Sequence, residues 1–214
     1  MDCLRIGHIK LLIREYDHAC TCLQELILEV NFPFPFSPTS YILYTSHHLG
    51  NNSQGGAGLL VRNSFHSYVI LLQTQLHAAA ARVILSRPYS VCSLYLPPIE
   101  AVSHEYLEDL IKQLQSPFIL VGDFNIRHSK WKNTSTSPNA NIVINLITKY
   151  NLVCMNSGAP THYYQASQSF THIDISLCSN TISQSLIWSR LDDHYPIIIA
   201  EMGIDSSLNS PFRW

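Results

Sequence analysis

The chain has few charged side chains and no large excess of either sign. Asp, Glu, Lys and Arg together make up 13% of its 214 residues, and the formal net charge is −2. Proteins that coat nucleic acid by bulk electrostatics carry a strongly basic surface, so this composition excludes that class. Any contact with nucleic acid must therefore come from a local basic cluster.

Long apolar runs and metal-type cysteine or histidine motifs are also absent. No run reaches the roughly 18 residues of a membrane span, and charges interrupt the N-terminal segment. The six cysteines form no C-x-x-C pair, and most lie in apolar segments as buried free thiols do. The eleven histidines lack H-x-x-x-H spacing, which argues against a zinc site. We expect a soluble, intracellular protein with no membrane partner.

The patterning predicts one domain over residues 1–203 and a polar tail or connector over residues 204–214. Helical spacing of apolar residues predicts helices around residues 9–16, 107–114 and 143–150, the second with Ser103 as its N-cap. Apolar runs predict strands at residues 19–25, 41–45, 59–61, 68–72, 79–85, 89–96, 118–121, 152–156, 170–177 and 195–202.

Two of these segments carry specific expectations. The final strand, residues 195–202, is apolar on both faces, which predicts burial on both. The glycine-rich residues 55–58 precede a strand and lack the Gly-Lys-Ser/Thr of a phosphate-binding loop, so we assign them to backbone packing. Many strands with few helices predict stacked sheets covered by helices.

The most informative stretch is FILVGDFN at residues 118–125. A buried strand there would end by placing Asp123 and Asn125 two positions apart, which on an extended segment gives them a shared face. A carboxylate and an amide aimed at one point can orient a water or a phosphate. The alternative interpretation is a strand followed by an ordinary Gly-Asp turn.

Further polar residues follow predicted strands, each with a structural alternative. Glu25 ends a strand, although a surface glutamate is the commoner interpretation. Tyr95 could point its hydroxyl into a cleft or be a core tyrosine. On the strand at residues 170–177, His172, Asp174 and Ser176 share one face.

The last feature is an Asp-His pair before the final strand. Asp193 and His194 combine a carboxylate suited to a hard cation with an imidazole that titrates near neutral pH. A short basic and aromatic cluster follows the GDFN segment. Its members are Arg127, His128, Lys130 and Lys132, which flank Trp131.

Taken in chain order, these residues resemble the endonuclease/exonuclease/phosphatase superfamily over nearly the whole sequence. LYLPP at residues 94–98, GDFN at 122–125 and HIDI at 172–175 are similar to the apurinic-like endonuclease domain of LINE-type (non-LTR) retrotransposons. PFRW at residues 211–214 resembles the start of a connector to a reverse transcriptase.

The resemblance implies a four-layer αββα sandwich of the deoxyribonuclease-like type, which nicks DNA by Mg²⁺-dependent phosphodiester hydrolysis, with Mn²⁺ as a substitute. It also implies a nuclear location for an active protein and a downstream reverse transcriptase as partner. By resemblance, Glu25 would hold the metal, and Asp193 would approach the metal or hold His194.

The resemblance also implies the catalytic roles. Asp123 would orient and deprotonate the attacking water while Asn125 fixes its geometry. Tyr95 would donate to the phosphate or leaving oxygen, His194 would stabilise the charge of the transition state, and Asp174 would support the histidine or a neighbouring polar group. The basic cluster would contact phosphates, with a solvated loop as the alternative.

Two departures from the superfamily pattern keep other interpretations open. The superfamily begins with a strand ending in asparagine, and only residues 1–5 precede the first predicted helix, so that first strand is expected to be lacking. Asp192 stands where the family usually has serine. The alternatives are an inactive truncated remnant, or a phosphatase or nuclease of the same fold with another substrate. Residues 31–53 and 157–169 are the loops expected to set any target preference.

Overall fold

The computed structural model describes residues 11, 13–15, 18–26, 39–46, 55–98, 102–133, 135–164, 168–190 and 197–202. The strands are β1 (Cys20–Leu23), β2 (Tyr41–Thr45), β3 (Gly58–Arg62), β4 (Ser67–Ile70), β5 (His77–Ile84), β6 (Pro88–Tyr95), β7 (Phe118–Asp123), β8 (Leu152–Cys154), β9 (His162–Tyr164), β10 (Ser169–Thr171), β11 (Asp174–Ser179), β12 (Leu186–Arg190) and β13 (Ile197–Glu201). The helices are α1 (His104–Gln113), α2 (Ala140–Lys149) and α3 (Asn180–Ser183), with a 3₁₀ turn at Ser129–Trp131.

A six-stranded sheet in the order β4-β5-β6-β7-β11-β8 forms the centre of the molecule. Strands β6 and β7 are parallel because α1 crosses between them, and the other pairs of this sheet are antiparallel. The second sheet layer consists, in the described residues, of a three-stranded piece (β1-β3-β2) and a two-stranded piece (β12-β13). Strands β9 and β10 form a separate hairpin.

Three apolar clusters hold these layers together. Leu110 of α1 and Leu146 of α2 pack with Leu120 on one face of the six-stranded sheet. A second cluster between the sheets joins Val61 to Tyr89, and a third lies on the outer face of the three-stranded piece. Ile13, in the helical residues 13–15, packs on that outer cluster. The four-layer αββα sandwich expected from the sequence is therefore confirmed.

The N-cap predicted for α1 and the packing role predicted for the glycine-rich residues are confirmed as well. The Ser103 side chain accepts a hydrogen bond from the Glu105 amide at 3.2 Å, and Leu107 and Leu110 are buried. A Cβ on Gly56 would lie 2.7 Å from the Leu26 carbonyl oxygen, so glycine there permits close backbone packing. No helix in the described part of the chain is long and apolar enough to cross a membrane.

Two strand predictions differ from the structure. The segment predicted as one strand at residues 170–177 is two strands, β10 and β11, because side chains take both backbone hydrogen bonds of His172 and that of the Ile173 amide. Strand β13 is half-buried along its length instead of buried on both faces. Among the described residues its only ladder is the one with β12. Residues 1–10 and the tail at 204–214 lie outside the described residues.

Candidate active site

Three polar side chains form a row at one end of the six-stranded sheet. Asp123, the last residue of β7, is the register partner of Tyr95 on β6 and of Asp174 on β11. Register partners share a face of a sheet. The same face of β7 carries Ile119, which packs between the two sheets, so the row lies at the edge of the space between the sheets. His77, the partner of Tyr95 on β5, extends the row.

Gly122 explains how the strand brings Asp123 so close to its neighbours. A Cβ at this position would lie 2.0 Å from the carbonyl oxygen of Leu94, so only glycine permits the close approach of β6 and β7. The glycine before the aspartate is thus a packing requirement that sets the position of the carboxylate.

The Asp123 carboxyl is strongly perturbed. Burial raises its pKa to about 7, repulsion from Asp174 and Glu25 adds to this, and hydrogen bonds from Asn125 partly offset it. A carboxyl that titrates near neutral pH is suited to accept a proton from water.

Asn125 lies beside Asp123 for a different reason than the sequence suggested. The strand ends at Asp123, and Asn125 has a left-handed backbone with φ of 49°, so the two residues do not share the face of an extended segment. Instead, the Asn125 amide donates to Asp123 Oδ1 at 3.0 Å, and its side-chain Nδ2 donates to the Leu96 carbonyl at 3.0 Å. The turn interpretation is therefore correct, and the active-site interpretation of Asp123 and Asn125 stays a prediction.

Glu25 reaches the same region from the other sheet. It follows β1 with a left-handed backbone (φ of 54°), while Gln24 Nε2 donates to Ser93 Oγ at 3.0 Å and anchors the turn to β6. The charge of Glu25 raises the pKa of both Asp123 and Asp174, which places three carboxylates in electrostatic contact.

Tyr95 is 9% exposed and packs against the glycine-rich loop. Gly55 has a φ of 87°, and a Cβ there would lie 2.5 Å from Tyr95 Cε1. The His77 and Tyr95 rings are also in contact, with centroids 6.0 Å apart. Gly55 thus leaves the space in which the Tyr95 ring stands.

Asp174 is held by two side chains that the sequence analysis did not select. Thr161 Oγ1 accepts from the Asp174 amide at 3.1 Å, and Asn156 Nδ2 donates to the Asp174 carbonyl at 3.0 Å. Burial raises the pKa of Asp174 to about 6 against a hydrogen bond from the Thr161 hydroxyl, and Glu25 raises it further. Both residues lie outside any periodic pattern, so no sequence signal pointed to them.

The donor chemistry at this site fits the divalent cation that the resemblance implies. Asp123, Asp174 and Glu25 repel one another, and a hard cation with oxygen ligands would relieve that repulsion. In the described residues no three His, Cys, Asp or Glu side chains already form a metal-binding group. Mg²⁺ is commonly held by one or two carboxylates, with water and phosphate oxygens completing its shell, so Glu25 alone suits it.

The basic cluster is only partly a surface feature. Trp131 was expected to contribute to DNA contact, but it is 6% exposed and donates from Nε1 to Cys154 Sγ at 3.3 Å, so its ring cannot stack on a base. It is buried because the 3₁₀ turn points it into the helix-side core. His128 caps that turn by accepting from the Lys130 amide. The exposed cations of the cluster are Arg127, Lys130 and Lys132.

Asp193 and His194 lie outside the described residues, as does Asp192. The structure therefore brings together Glu25, Tyr95, Asp123, Asn125 and Asp174. The roles of Asp193 and His194 stay predictions.

Comparison with known proteins relates this arrangement to one family. The family model described as endonuclease-reverse transcriptase matches residues 89–198. A probable RNA-directed DNA polymerase from transposon X-element of Drosophila melanogaster is 27% identical over 74% of the chain, and the chain spans 18% of its length. The RNA-directed DNA polymerase from mobile element jockey of Drosophila funebris is 30% identical over 58% of the chain, which spans 14% of that relative.

Solved structures with the same fold include two nucleases. The endonuclease domain of TRAS1, a telomere-specific non-LTR retrotransposon, superposes with a TM-score of 0.71 at 14% identity, covering 92% of this chain and 91% of that one. A 3'-5' exonuclease from Neisseria meningitidis gives 0.65 at 18% identity, with 92% and 94% covered. At these identities the likeness concerns the fold.

Proposed function

The chain belongs to the endonuclease-reverse transcriptase family, and from this premise we propose that it nicks DNA by metal-dependent hydrolysis of a phosphodiester bond. The observation that carries the proposal is the row of Tyr95, Asp123 and Asp174 in register at one sheet edge. Glu25, which follows β1 of the other sheet, is near enough for its charge to raise the pKa of Asp123. Such a set combines an acceptor for a proton, a hydroxyl donor and a carboxylate for a cation.

The roles proposed for Asp123, Asn125 and Tyr95 draw on their surroundings, and the role of His194 comes from the family resemblance. The ionised Asp123 accepts the proton of the attacking water, and Asn125 holds that carboxylate through its backbone amide at 3.0 Å. Tyr95 donates to a phosphate or leaving-group oxygen. His194 stabilises the negative charge of the transition state, and Asp174 supports the histidine.

Glu25, assisted by Asp193, would hold Mg²⁺, with Mn²⁺ as a substitute. When bound, the cation would neutralise charge on the phosphate and favour the ionised form of nearby groups.

A plasmid-nicking assay tests this function. We expect the protein to convert supercoiled plasmid to the nicked form with Mg²⁺ and to stop when EDTA is added. Asp123→Ala should lower the rate by roughly 10² to 10⁴-fold, as expected for loss of a general base. Asp109→Ala is the matched control, because Asp109 is an exposed α1 carboxylate that pairs with Lys112. Nicking that survives EDTA, or an undiminished Asp123→Ala rate, would contradict the proposal.

DNA contact is assigned to the exposed cations of the loop after β7. Arg127, Lys130 and Lys132 follow the site residue Asn125 directly in the chain. Arg127→Ala should weaken plasmid binding and reduce the slope of log affinity against log salt by about 1, as loss of one phosphate contact does. Lys112→Ala, on the exposed face of α1, should leave the slope unchanged. Equal slopes for wild type and Arg127→Ala would remove this assignment.

An inactive remnant of the same domain is the second candidate. It is favoured by Asp192, which stands where the family usually has serine and adds a like charge beside Asp193. A cooperatively folded protein that nicks no DNA with Mg²⁺ or Mn²⁺ would favour this candidate over the enzyme.

The wider setting of the domain is also part of the proposal. We place residues 1–203 in the endonuclease domain and residues 204–214 in a connector to a reverse transcriptase, since the relatives are named as RNA-directed DNA polymerases. Chromosomal DNA as substrate would put the active protein in the nucleus.

A further inference from the structure

Thr161 precedes β9 in the chain. In the fold it lies beside residues 172 and 173, which separate strand β10 from Asp174, the first residue of β11. Thr161 is 5% exposed, and its own amide donates to the Thr171 carbonyl at 3.0 Å, which fixes it to the end of β10. An interruption between strands leaves backbone amides and carbonyls without partners in the sheet. A buried hydroxyl at such a place can supply those partners.

The hydrogen bonds of this hydroxyl all go to one short segment. Thr161 Oγ1 accepts from the Ile173 amide at 3.2 Å and from the Asp174 amide at 3.1 Å. A hydroxyl oxygen has two acceptor sites, so both acceptor sites of Thr161 are used on residues 173 and 174. The hydroxyl also lowers the pKa of the Asp174 carboxyl, which fits its position beside that group.

His172, the other residue between β10 and β11, is held by a different side chain. Asn133 Nδ2 donates to the His172 carbonyl at 3.0 Å, and Asn133 Oδ1 accepts from the His172 amide at 3.1 Å. Asn133 therefore secures the backbone before Asp174. Thr161 secures the Asp174 amide itself, and its hydroxyl lowers the pKa of the Asp174 carboxyl.

We propose that Thr161 is a positioning residue that orients the Asp174 carboxylate within the active-site row. The inference rests on the proposed endonuclease function for its catalytic readout. Asp174 stands opposite Asp123 in the register, so a rotation of its carboxylate would alter the surroundings of the general base. Thr161 acts through Asp174 and makes no contact with the substrate.

The first experiment compares three variants in the plasmid-nicking assay with Mg²⁺. Thr161→Val keeps the shape and removes the hydroxyl, and it should lower kcat by about tenfold or more, the usual loss for a hydrogen bond to a charged group, with KM within about twofold. Thr161→Ser keeps the hydroxyl and should restore kcat to within about threefold of wild type. Thr148→Val is the control, because the Thr148 hydroxyl donates to Ile144 on an exposed helix face.

A double-mutant cycle separates positioning from general loosening of the fold. In an Asp174→Ala background, Thr161→Val should lower kcat by less than about twofold, since the carboxylate it orients is gone. An equal loss in both backgrounds, or a Thr161→Ser variant as slow as Thr161→Val, would overturn the proposal. Thr161→Cys, with a weak donor in the same space, is carried in parallel in case Thr161→Val does not fold.

A measurement without catalysis keeps this inference distinct from the proposed function. In carboxyl ¹³C NMR titrations of the full chain, Thr161→Val should raise the pKa of Asp174 relative to wild type, and Thr161→Ser should not. An unchanged Asp174 titration in folded Thr161→Val would overturn the positioning role. A wild-type protein that does not nick DNA would instead overturn the proposed function, and the NMR result would still decide the role of Thr161.

Discussion

Two carboxylates of this protein, Asp123 and Glu108, have opposite surroundings. Asp123 is half-buried near Asp174 and Glu25, and its pKa is raised to about 7. Glu108 lies on the helical surface, where Lys149 Nζ and the Tyr150 hydroxyl each donate to it at 2.6 Å, and its pKa is lowered to about 2 by these two groups and Lys112. One region concentrates negative charge and the other compensates it.

The difference separates the proposed general base from a structural carboxylate. Glu108 links α1 to α2 through the Lys149 and Tyr150 contacts, and it is fully ionised across the neutral range. Asp123 changes its protonation where a general base must work. Ionisation of Asp123 therefore opposes folding, whereas ionisation of Glu108 favours it.

The largest expected effect is on the pH dependence of nicking. At low Mg²⁺, kcat/KM reports the metal-free protein, in which the ionised fraction of Asp123 falls about tenfold per pH unit below about pH 7. We therefore expect kcat/KM to be about a hundredfold lower at pH 5 than at pH 8, and saturating Mg²⁺ should reduce this difference because the cation favours the ionised form. Rates measured across this range at constant Mg²⁺ check the sign. A rate independent of pH between 5 and 8 would show that Asp123 is not the base. Glu108→Gln should leave the profile unchanged.

A smaller effect is expected from the glycine behind Tyr95. Gly55→Ala would place a Cβ 2.5 Å from Tyr95 Cε1 and would strain a backbone with φ of 87°. The Tyr95 ring must move away from its present position beside Asp123, so we expect nicking to slow by about tenfold. Asn151→Ala is the control for backbone strain, because Asn151 also has a left-handed backbone, with φ of 50°, and is exposed after α2. Equal rates for the two variants would contradict a role for the Tyr95 position.

The third prediction concerns stability at the site. The folded-state pKa of Asp123 is raised, so its contribution is favourable at low pH and is lost as pH rises through about 7. Asp123→Asn should therefore be more stable than wild type at pH 8 by at least about 1 kcal/mol, and this advantage should shrink towards pH 4. Urea unfolding at both pH values measures it. A variant that is less stable at pH 8 would argue against the buried, repelled carboxylate.

The smallest effect, of opposite sign, is expected at Glu108. Its folded-state pKa is lowered, so its contribution is present above the unfolded value of about 4.5 and is lost as pH falls towards about 2. Glu108→Gln should lower Tm slightly at pH 7, with a difference that disappears in acid and weakens in high salt. If the Tm difference instead grew in acid, the comparison between the two carboxylates would fail.

The sequence by itself determined the features that depend on near neighbours. The Ser103 cap and buried stripe of α1, the strand ending at Asp123 and the packing role of the glycine-rich residues follow from spacing over a few positions. The order of polar motifs was also sufficient to indicate the family and the four-layer fold.

Only the tertiary structure decided how these pieces meet. Strand register sets Asp123 beside Asp174, and Asn125 has a left-handed backbone where an extended one was expected. Trp131 turns into the core, whereas the sequence predicted a DNA contact for it. Thr161 is brought to Asp174 by the β9-β10 hairpin. These outcomes depend on burial and pairing between segments far apart in the chain, and hydrophobic periodicity carries no information about such distances.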